Sequence, residues 1–503
     1  MRILTKCYVL ILLIALITCP TAASAREWSI VGPRALGMGG ANVAVANDVT
    51  ASYWNPAAYG FFSKEGGGDY SKRDWSATVN AGVGASIHEE LGEKLDEISE
   101  YDFDVLDEGQ IQAQDVDDYV QLLSALKAFD ENENRAAKVS AEAQFGVQVG
   151  HLGVGGMVLA EISAKGDIDT VNIIPDTGVV GGNIITYLGT PANFSTANNV
   201  TNDYLPLSTY NNLIATIGAL PGWNPGDAAD FVDAVDNGLA AANAAGQTIP
   251  ADIDTDILNV AKLASDAGTG DSFEDNESAL IFKGIAVTEV PVTYGYAITE
   301  DLAIGGNLKY MKARTYNVAV KIFDNDFEDA LDDAQDDYEE STNFGVDLGL
   351  LYRFGDDLRV GLVGRNLNSP KFDMKKLLPS DDGSIEEEPQ LRAGVCYKPV
   401  SFLILAADCD LTKNDTTISG SYKSQNVSLG AELNLIEFLR LRVGAYKNIA
   451  ESDIGWVYTA GFGLNFWLFN LDAGAAMASE SETIDEDEIP KEVRAEVALS
   501  MLF

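Results

Sequence analysis

The chain has 503 residues, with 33 basic and 77 acidic side chains, a formal net charge of −44 and 46% hydrophobic residues. A disordered chain of this acidity would contain fewer apolar residues, and a nucleic-acid-binding protein would carry the opposite charge. The composition therefore excludes a largely disordered chain and predicts no nucleic-acid partner.

Residues 1–25 have the features of a secretory signal peptide. A basic start precedes an apolar run at 7–17 that is too short to span a bilayer, and Ala23-Ser24-Ala25 fits the cleavage pattern. Cleavage there would leave Arg26 as the first residue. Lipidation at Cys19 is the alternative interpretation of this segment.

After the signal peptide, hydrophobic residues alternate with polar ones instead of forming long apolar runs. From Trp75 to Ile87 every second residue is apolar, and the residues between them are small or polar. Strands of about ten residues with this pattern span a bilayer when tilted, whereas strands of soluble proteins typically have about five or six. The pattern recurs at 74–87, 139–150, 153–164, 284–298, 302–317, 342–353, 358–368, 389–398, 402–410, 424–435, 439–448, 454–467, 469–479 and 492–503.

These segments predict an all-β protein, namely a transmembrane antiparallel β-barrel of about 14 strands that occupies residues 71–503. Short turns follow the even-numbered strands, and longer connections, with large inserts at 88–138 and 165–280, follow the odd-numbered ones. Outer-membrane barrels have short periplasmic turns and long external loops, so both chain ends are predicted to lie on the periplasmic side. A soluble, exported β-sandwich is the rival interpretation.

Aromatic residues support this orientation, because they gather at the strand ends next to the short turns. Such rings favour the interface between lipid and water. The residues concerned are Tyr294, Tyr296, Tyr352, Tyr397, Phe438, Phe466, Trp467 and Phe503.

Most of the acidic residues fall in the predicted external loops. Helical spacing of apolar residues predicts an amphipathic helix at about 115–126 and short helices near 228–239 and 257–264. Two interpretations of the acidic runs remain open. They keep the outer surface polar, or their carboxylates bind divalent cations such as Ca²⁺.

No catalytic motif is found. His88 and His151, the only two histidines, are predicted at opposite rims and are not expected to form a zinc site or a Ser-His-Asp site. Cys396 and Cys409 are predicted on opposite faces and unpaired. The sequence therefore predicts a protein that is not an enzyme, with no cofactor and no bound metal. Two interpretations remain open for a set of lumen-facing charged residues: they form a polar site, or they are a balanced ladder of charges that fills the lumen. The residues are Asp408, Asp410, Glu432, Arg440, Arg442 and Arg494.

Residues 32–62 contain the stretches RALGMGGA and ANDVTA and the turn Asn55-Pro56-Ala57. These stretches resemble the plug of FadL-type outer-membrane proteins. The resemblance implies a plug at 26–70, in which small residues allow tight packing and Asn-Pro fixes a turn. The residues assigned to this structural motif are Gly37, Gly39, Gly40, Asn55 and Pro56.

Residues 388–446 contain EPQLRAGVCYKP, LILAADCDLTKND and NVSLGAELNL, followed by LRLRVGAYKN. They resemble the conjugal-transfer TraF-like outer-membrane family, which is related to FadL and PorV barrels. Together with 342–368, the resemblance covers about half of the mature chain. The thioredoxin-like protein that gives the family its name has a redox motif, which this chain lacks.

The resemblance implies a location in the outer membrane of a Gram-negative-type bacterium. The expected partners are outer-membrane lipid and the barrel-assembly machinery, for which the terminal Phe503 resembles the recognition signal. The implied function is passage or capture of a small hydrophobic compound. The alternative is an accessory role in conjugation, secretion or surface-protein assembly, with a protein partner at the external loops.

Overall fold

The computed structural model describes most of the chain after residue 25. The described residues are 26–61, 75–99, 111–112, 115–173, 182–194, 204–267, 269–270, 275–321, 337–377, 382–436, 438–466, 468–484 and 487–502. The predicted signal peptide at 1–25, the end of the predicted plug segment after residue 61, and Phe503 lie outside these residues.

Fourteen antiparallel strands form a closed barrel, as the alternation predicted. Each strand pairs with its sequence neighbour, and the first strand pairs with the last, so that Val79 lies between Phe145 and Leu499. The strands are β1 Trp75–His88, β2 Ala136–Val149, β3 Leu152–Asp167, β4 Ala279–Ala297, β5 Leu302–Lys321, β6 Glu339–Phe354, β7 Leu358–Arg365, β8 Gln390–Val400, β9 Leu403–Asp410, β10 Asn426–Ile436, β11 Leu439–Asn448, β12 Val457–Asn465, β13 Asn470–Ala478 and β14 Glu492–Leu502.

Neighbouring residues on a strand face opposite sides of the wall. Val79 is 53% exposed and Leu429 is 48% exposed, whereas the preceding residues Thr78 and Ser428 are 7% and 1% exposed. The barrel therefore has an apolar outside and a largely polar inside. That distribution is the one expected of a barrel surrounded by lipid.

The two described cysteines are both unpaired, as predicted. Cys396 is buried on the inner face. The turn between β8 and β9 suggests that Cys409 lies opposite Leu391, but the structure pairs it with Ala393. The difference arises because the register shifts between Tyr397 and Val400.

Residues 26–61 pack against inward-facing residues of the barrel wall, and we call this segment the plug. The plug contains helix α1 (Pro33–Gly37), helix α2 (Ala51–Trp54) and a 3-10 helix (Pro56–Phe61). Almost all of its residues are buried, and its apolar side chains share one cluster with inward-facing wall residues such as Met157 and Leu351. The plug is therefore a second layer packed against the inner face of the wall.

Two loops fold inward from the long-loop end of the barrel. The hairpin of Lys371–Asp373 and Ser384–Glu386 places Phe372 and Ile385 against inward-facing residues of β4 and β5. The hairpin of Asn414–Asp415 and Lys423–Ser424 leads into contacts with the inner wall, where Thr417 Oγ1 donates a hydrogen bond to Glu161. The upper lumen is thus filled by loops and the lower lumen by the plug.

The two largest inserts together form a helical domain with its own hydrophobic core. The predicted helices at 115–126, 228–239 and 257–264 are present, each longer than its apolar pattern indicated. The helices of the inserts are α3 Leu91–Ser99, α4 Val116–Asp130, α5 Ile184–Leu188, α6 Leu207–Ile217, α7 Pro225–Ala245 and α8 Ile253–Ala267, with a 3-10 turn at Pro191–Asn193. Two-stranded ribbons pair Gly182–Asn183 with Thr269–Gly270 and Ser481–Ile484 with Asp487–Pro490.

In the part of the chain that the structure describes, no helix is long and apolar enough to cross a membrane.

Candidate functional site

The backbone of the plug lies very close to the backbones of β10 and β11. Gly39 has φ +64°, and a Cβ atom there would lie 2.5 Å from the carbonyl oxygen of Ala445 and 2.6 Å from that of Leu429. On the wall side, Gly430 and Gly444 face Met38 at similarly short range. Glycine is therefore required on both surfaces, because any side chain would push the plug away from the wall.

The Asn55-Pro56 turn links the plug to the opposite side of the wall. The Asn55 side chain donates hydrogen bonds to the carbonyl oxygens of Val43 in the plug (3.2 Å) and Leu350 in β6 (3.1 Å). Its Oδ1 accepts a hydrogen bond from the amide of Ala57, which begins the 3-10 helix. Asn55 is completely buried, so these bonds are protected from water.

Buried ion pairs join the plug to the charge ladder that the sequence predicted. Glu432 accepts hydrogen bonds from Arg34 in the plug (2.9 Å) and from Arg442 in the neighbouring strand (2.8 Å). Arg442 also contacts Asp472 at 2.7 Å. Asp408 accepts hydrogen bonds from the backbone amides of residues 42 and 43, at 2.7 and 2.8 Å.

The remaining members of the predicted ladder have different surroundings. Asp410 is paired with Arg392 at 2.6 Å, and Arg494 lies 3.7 Å from Glu27 in the plug. Arg440 lines a cavity described below. Several members of the ladder thus contact the plug, whereas the sequence predicted a balanced ladder of charges that itself fills the lumen.

A second ionic cluster was not recognised from the sequence. Glu289 of β4 lies 3.2 Å from both Lys309 and Arg365, and 3.6 Å from Arg26 at the start of the plug. Lys309 also contacts Asp347 at 3.0 Å. The sequence did contain one signal for this cluster. Charged residues alternate with apolar ones in β4 and β5, and because a charge facing lipid is costly, these residues had to face the lumen.

Aromatic rings of the plug cover these buried cations. Trp28, Tyr53 and Trp54 contact one another with ring centroids 5.4 to 6.4 Å apart. The Arg365 guanidinium lies 4.0 Å from the Tyr53 ring, and that of Arg392 lies 5.0 Å from Trp28. Cation–π contact of this kind stabilises a guanidinium that has lost its water.

Within the described residues, the pairing between β3 and β4 is interrupted at one point. Residues 155–156 and 290–291 are not paired, although the pairs on either side keep the same register. Both unpaired residues of β3 are glycines, and Pro291 has no backbone N–H to donate. The hydrogen-bonded ladder is therefore locally open where β3 has no side chains.

Apolar groups of the plug and wall line the inside of this interruption. A side chain at Gly153 would collide with the Tyr59 ring, and one at Gly146 would lie 2.9 Å from Val49. Met157, which follows the unpaired residues, is 3% exposed and belongs to the apolar cluster of the plug. On the outer face, the Phe145 ring lies across Gly156.

A cavity of about 820 Å³ opens at the short-turn end, below the plug. We call this cavity the vestibule. Its plug side is formed by Arg34, Asn47 and Asp48, and its wall side by residues of β7 to β14 that include Arg440 and Asn470. Polar and charged side chains dominate its lining, so it differs in character from the interruption between β3 and β4.

His88 forms an arrangement that the sequence analysis did not expect. Its Nε2 lies 2.8 Å from Ser86 Oγ, and its Nδ1 lies 2.8 Å from Asp453, which also accepts a hydrogen bond from Tyr422. His151 lies at the other rim, near Tyr59, as predicted. Ser86, His88 and Asp453 are therefore connected by hydrogen bonds in the order found in the catalytic triad of serine hydrolases.

The surroundings of Ser86 do not suit catalysis. Ser86 is 5% exposed and lies within the ladder of β1, opposite Lys138 and Glu492. A cavity of about 40 Å³ borders His88, but Ser86 does not line it. The three residues instead connect the end of β1 to the loops at 411–425 and 449–456.

Comparisons with known proteins match the chain to one family model and to solved structures. A family model described as "F plasmid transfer operon, TraF, protein" matches residues 52–410. The chain is also similar to the toluene transporter TbuX of Ralstonia pickettii, with 12% identity, coverage of 94% of this chain and 98% of that one, and a TM-score of 0.45. A comparison with curated proteins gives no match.

Two further solved structures are similar over nearly their whole length. The toluene transporter TodX of P. putida has 11% identity, with coverage of 95% of this chain and 99% of that one and a TM-score of 0.43. A FadL homologue of Pseudomonas aeruginosa has 8% identity, with coverage of 96% and 99% and a TM-score of 0.42.

Proposed function

We propose, from the premise that the chain belongs to the family of the F plasmid transfer operon protein TraF, that it is an outer-membrane barrel for passage or capture of small hydrophobic compounds. The short-turn end faces the periplasm and the helical domain faces the outside. The compounds enter sideways from the lipid, through the interruption between β3 and β4, and not through the upper lumen.

The interrupted ladder is the observation that carries this proposal. An apolar compound dissolved in the membrane meets an apolar outer wall, and the only polar barrier in its way is the backbone of the strands. At 155–156 and 290–291 that barrier lacks its ladder pairing, and Tyr59 and Met157 offer an apolar surface behind it. The route from above is filled by the two inward hairpins.

Pro291→Val tests the proposal by restoring a backbone donor to β4. We expect a closed ladder and slower uptake of an aromatic hydrocarbon such as toluene into outer-membrane vesicles that carry the protein, with empty vesicles as the baseline. Val154→Ile, at a paired and lipid-facing position of β3, is the control and should leave uptake unchanged. If vesicles that carry the unsubstituted protein take up the hydrocarbon no faster than empty vesicles, passage of this compound class is refuted.

An accessory role in conjugation, secretion or surface assembly is the second candidate. It is favoured by the helical domain, which has a core of its own and which a simple channel does not need. Among its described residues few large apolar side chains are exposed, Leu207 being one, so a partner there would bind mainly through polar contacts. A chain without residues 182–270 that still takes up hydrocarbon, but no longer supports transfer or secretion, would favour this role.

A further inference from the structure

The vestibule differs from the rest of the chain in its charge. It is lined by five basic residues, Arg34, Arg359, Lys398, Arg440 and Arg442, and by four acidic residues, Asp48, Asp357, Glu432 and Asp472. The lining therefore has a net charge of about +1, in a chain whose net charge is −44. An anion that avoids the rest of the molecule is not repelled here.

The acidic groups of the vestibule are largely occupied. Glu432 bridges Arg34 and Arg442, and Asp472 contacts Arg442. Asp48 accepts hydrogen bonds from the backbone amide and the hydroxyl of Thr50. Few carboxylate oxygens remain to neutralise another cation.

Arg440 takes part in none of these pairs. Among the residues that the structure describes, none forms a hydrogen bond or ion pair with the Arg440 guanidinium, although Arg440 is half-buried in the vestibule wall. Asn470, which is 6% exposed, lines the same cavity and has an amide oxygen without a hydrogen-bond partner. A partly desolvated guanidinium is stabilised by a carboxylate that pairs with it, and an unpartnered amide oxygen is stabilised by a hydroxyl that donates a hydrogen bond to it.

The rest of the lining suits a ligand with several hydroxyl groups. Four asparagine side chains, at 47, 434, 465 and 470, and the hydroxyls of Ser401 and Ser500 face the cavity. Amides and hydroxyls both donate and accept hydrogen bonds, as sugar-like compounds require. A volume of about 820 Å³ lies within the range of small-molecule sites.

We propose that the vestibule binds a small, water-soluble organic carboxylate with hydroxyl groups, which enters from the short-turn end and pairs with Arg440. This site goes beyond the hydrophobic route proposed above. It is bordered by β7 to β14, whereas the interrupted ladder lies between β3 and β4. Failure of either proposal therefore leaves the other standing.

Titration calorimetry on the full chain in detergent tests the proposal with three probes. Gluconate carries the carboxylate and the hydroxyls, sorbitol lacks the carboxylate, and decanoate lacks the hydroxyls. We expect gluconate to bind, and sorbitol and decanoate to bind at least about tenfold more weakly. Tighter binding of decanoate, or no binding of gluconate, would overturn the proposal.

Arg440→Gln should weaken gluconate binding by about tenfold or more, because it removes the cation and leaves a shorter side chain that is polar but neutral. The matched control is Arg314→Gln, at an exposed position on the opposite rim that is paired with Glu340. Equal gluconate affinity in both variants would contradict the assigned role of Arg440. Heat-modifiable gel migration verifies that each variant forms the barrel.

Cys396 offers a second readout, because its thiol lines the vestibule. In a Cys409→Ser chain, gluconate should slow the labelling of Cys396 by a thiol reagent, and sorbitol at the same concentration should not. Calorimetric binding of gluconate with unchanged labelling would place the ligand elsewhere and refute the proposed site.

Discussion

At the scale of single residues, the plug is held by groups that would be unstable without their partners. Glu432 is 2% exposed and lies between two guanidinium groups, one from the plug and one from the wall. A buried ion pair adds little net stability when compared with apolar residues, but removal of one partner leaves a buried charge uncompensated. The contact thus fixes where the plug sits more than it strengthens the barrel.

Glu432→Gln should therefore loosen the plug. Two guanidinium groups would share a neutral amide, at a cost of about 3–5 kcal/mol. We expect earlier thermal unfolding and faster tryptic cleavage after Arg34, measured on the purified protein by mass spectrometry. Glu340→Gln, at an exposed pair with Lys312 and Arg314, is the control and should change neither property. Equal behaviour of the two variants would show that the plug does not depend on this pair.

Gly39→Ala should displace the plug from β10 and β11. Gly39 and Gly150 both have positive φ, +64° and +55°, but a Cβ atom at Gly150 would meet nothing within 4 Å. Gly150→Ala therefore measures the cost of the left-handed backbone alone, about 1–2 kcal/mol.

We expect Gly39→Ala to lower the thermal unfolding temperature more than Gly150→Ala, because it adds a collision with backbone atoms to the same conformational cost. Scanning calorimetry of the two variants provides the comparison. Equal shifts would mean that close approach at Gly39 contributes nothing.

Some of these contacts could be anticipated from the sequence, and others could not. Inward-facing Asp408, Glu432 and Arg442 follow from strand alternation, because a charge on the lipid side would be costly. Arg34, the partner of Glu432 in the plug, is about 400 positions away in the sequence, and no periodicity links the two. The same holds for Arg26 and Glu289, and for the meeting of His88 with Asp453.

At the scale of elements, the helical domain shows where local patterns suffice. The apolar spacing behind Asp115 predicts α4, and the acidic residues before 257 fit the N-terminus of α8. The common core of α4, α7 and α8 could not be predicted, because helical spacing marks an apolar face without showing what covers it.

Asp117 gives this domain a testable dependence on pH. The residue is 3% exposed in α4, and burial, followed by repulsion from Asp118, raises its pKa to about 6 from the model-compound value of 3.8. A carboxyl group with a raised pKa in the folded state favours folding when it is protonated. Its stabilising contribution is present below pH 3.8 and is lost as the pH rises through about 6.

Asp117→Asn should remove this dependence and stabilise the domain at pH 7, by about 2–3 kcal/mol if the full pKa shift is realised. Hydrogen exchange of the α4 amides in the intact protein, compared between pH 5 and pH 7 after correction for intrinsic rates, measures the effect. Asp230→Asn, at an exposed position in α7, is the control. The assigned cause would be wrong if Asp117→Asn left the pH dependence of protection unchanged.

At the scale of the whole molecule, period-two alternation specified the barrel. All fourteen strands were located from it, because a strand with lipid on one side and a filled lumen on the other must alternate along its whole length. The contents of the lumen could be predicted less directly from the sequence. Glycines at 37, 39 and 40 indicated tight packing, but only the structure shows that β10, β11 and β12 carry matching glycines.

The fold also separates two chemical environments within one cylinder. The side near β3 and β4 presents apolar groups behind an interrupted ladder, and the side from β7 to β14 encloses a polar vestibule. The plug lies between them and contacts both. Hydrophobic compounds and polar anions are therefore expected to use different parts of the same barrel.

Spin-label accessibility tests the central claim, that apolar residues of the barrel face lipid, most directly. Labels would replace Val79 and Leu429 on the outer face, or their neighbours Thr78 and Ser428 on the inner face, in reconstituted chains without native cysteines. We predict that labels at the first two positions collide readily with oxygen dissolved in lipid and rarely with a water-soluble nickel complex, and that labels at the inner positions are shielded from oxygen. Ready collision of the nickel complex with labels at Val79 and Leu429 would contradict the account.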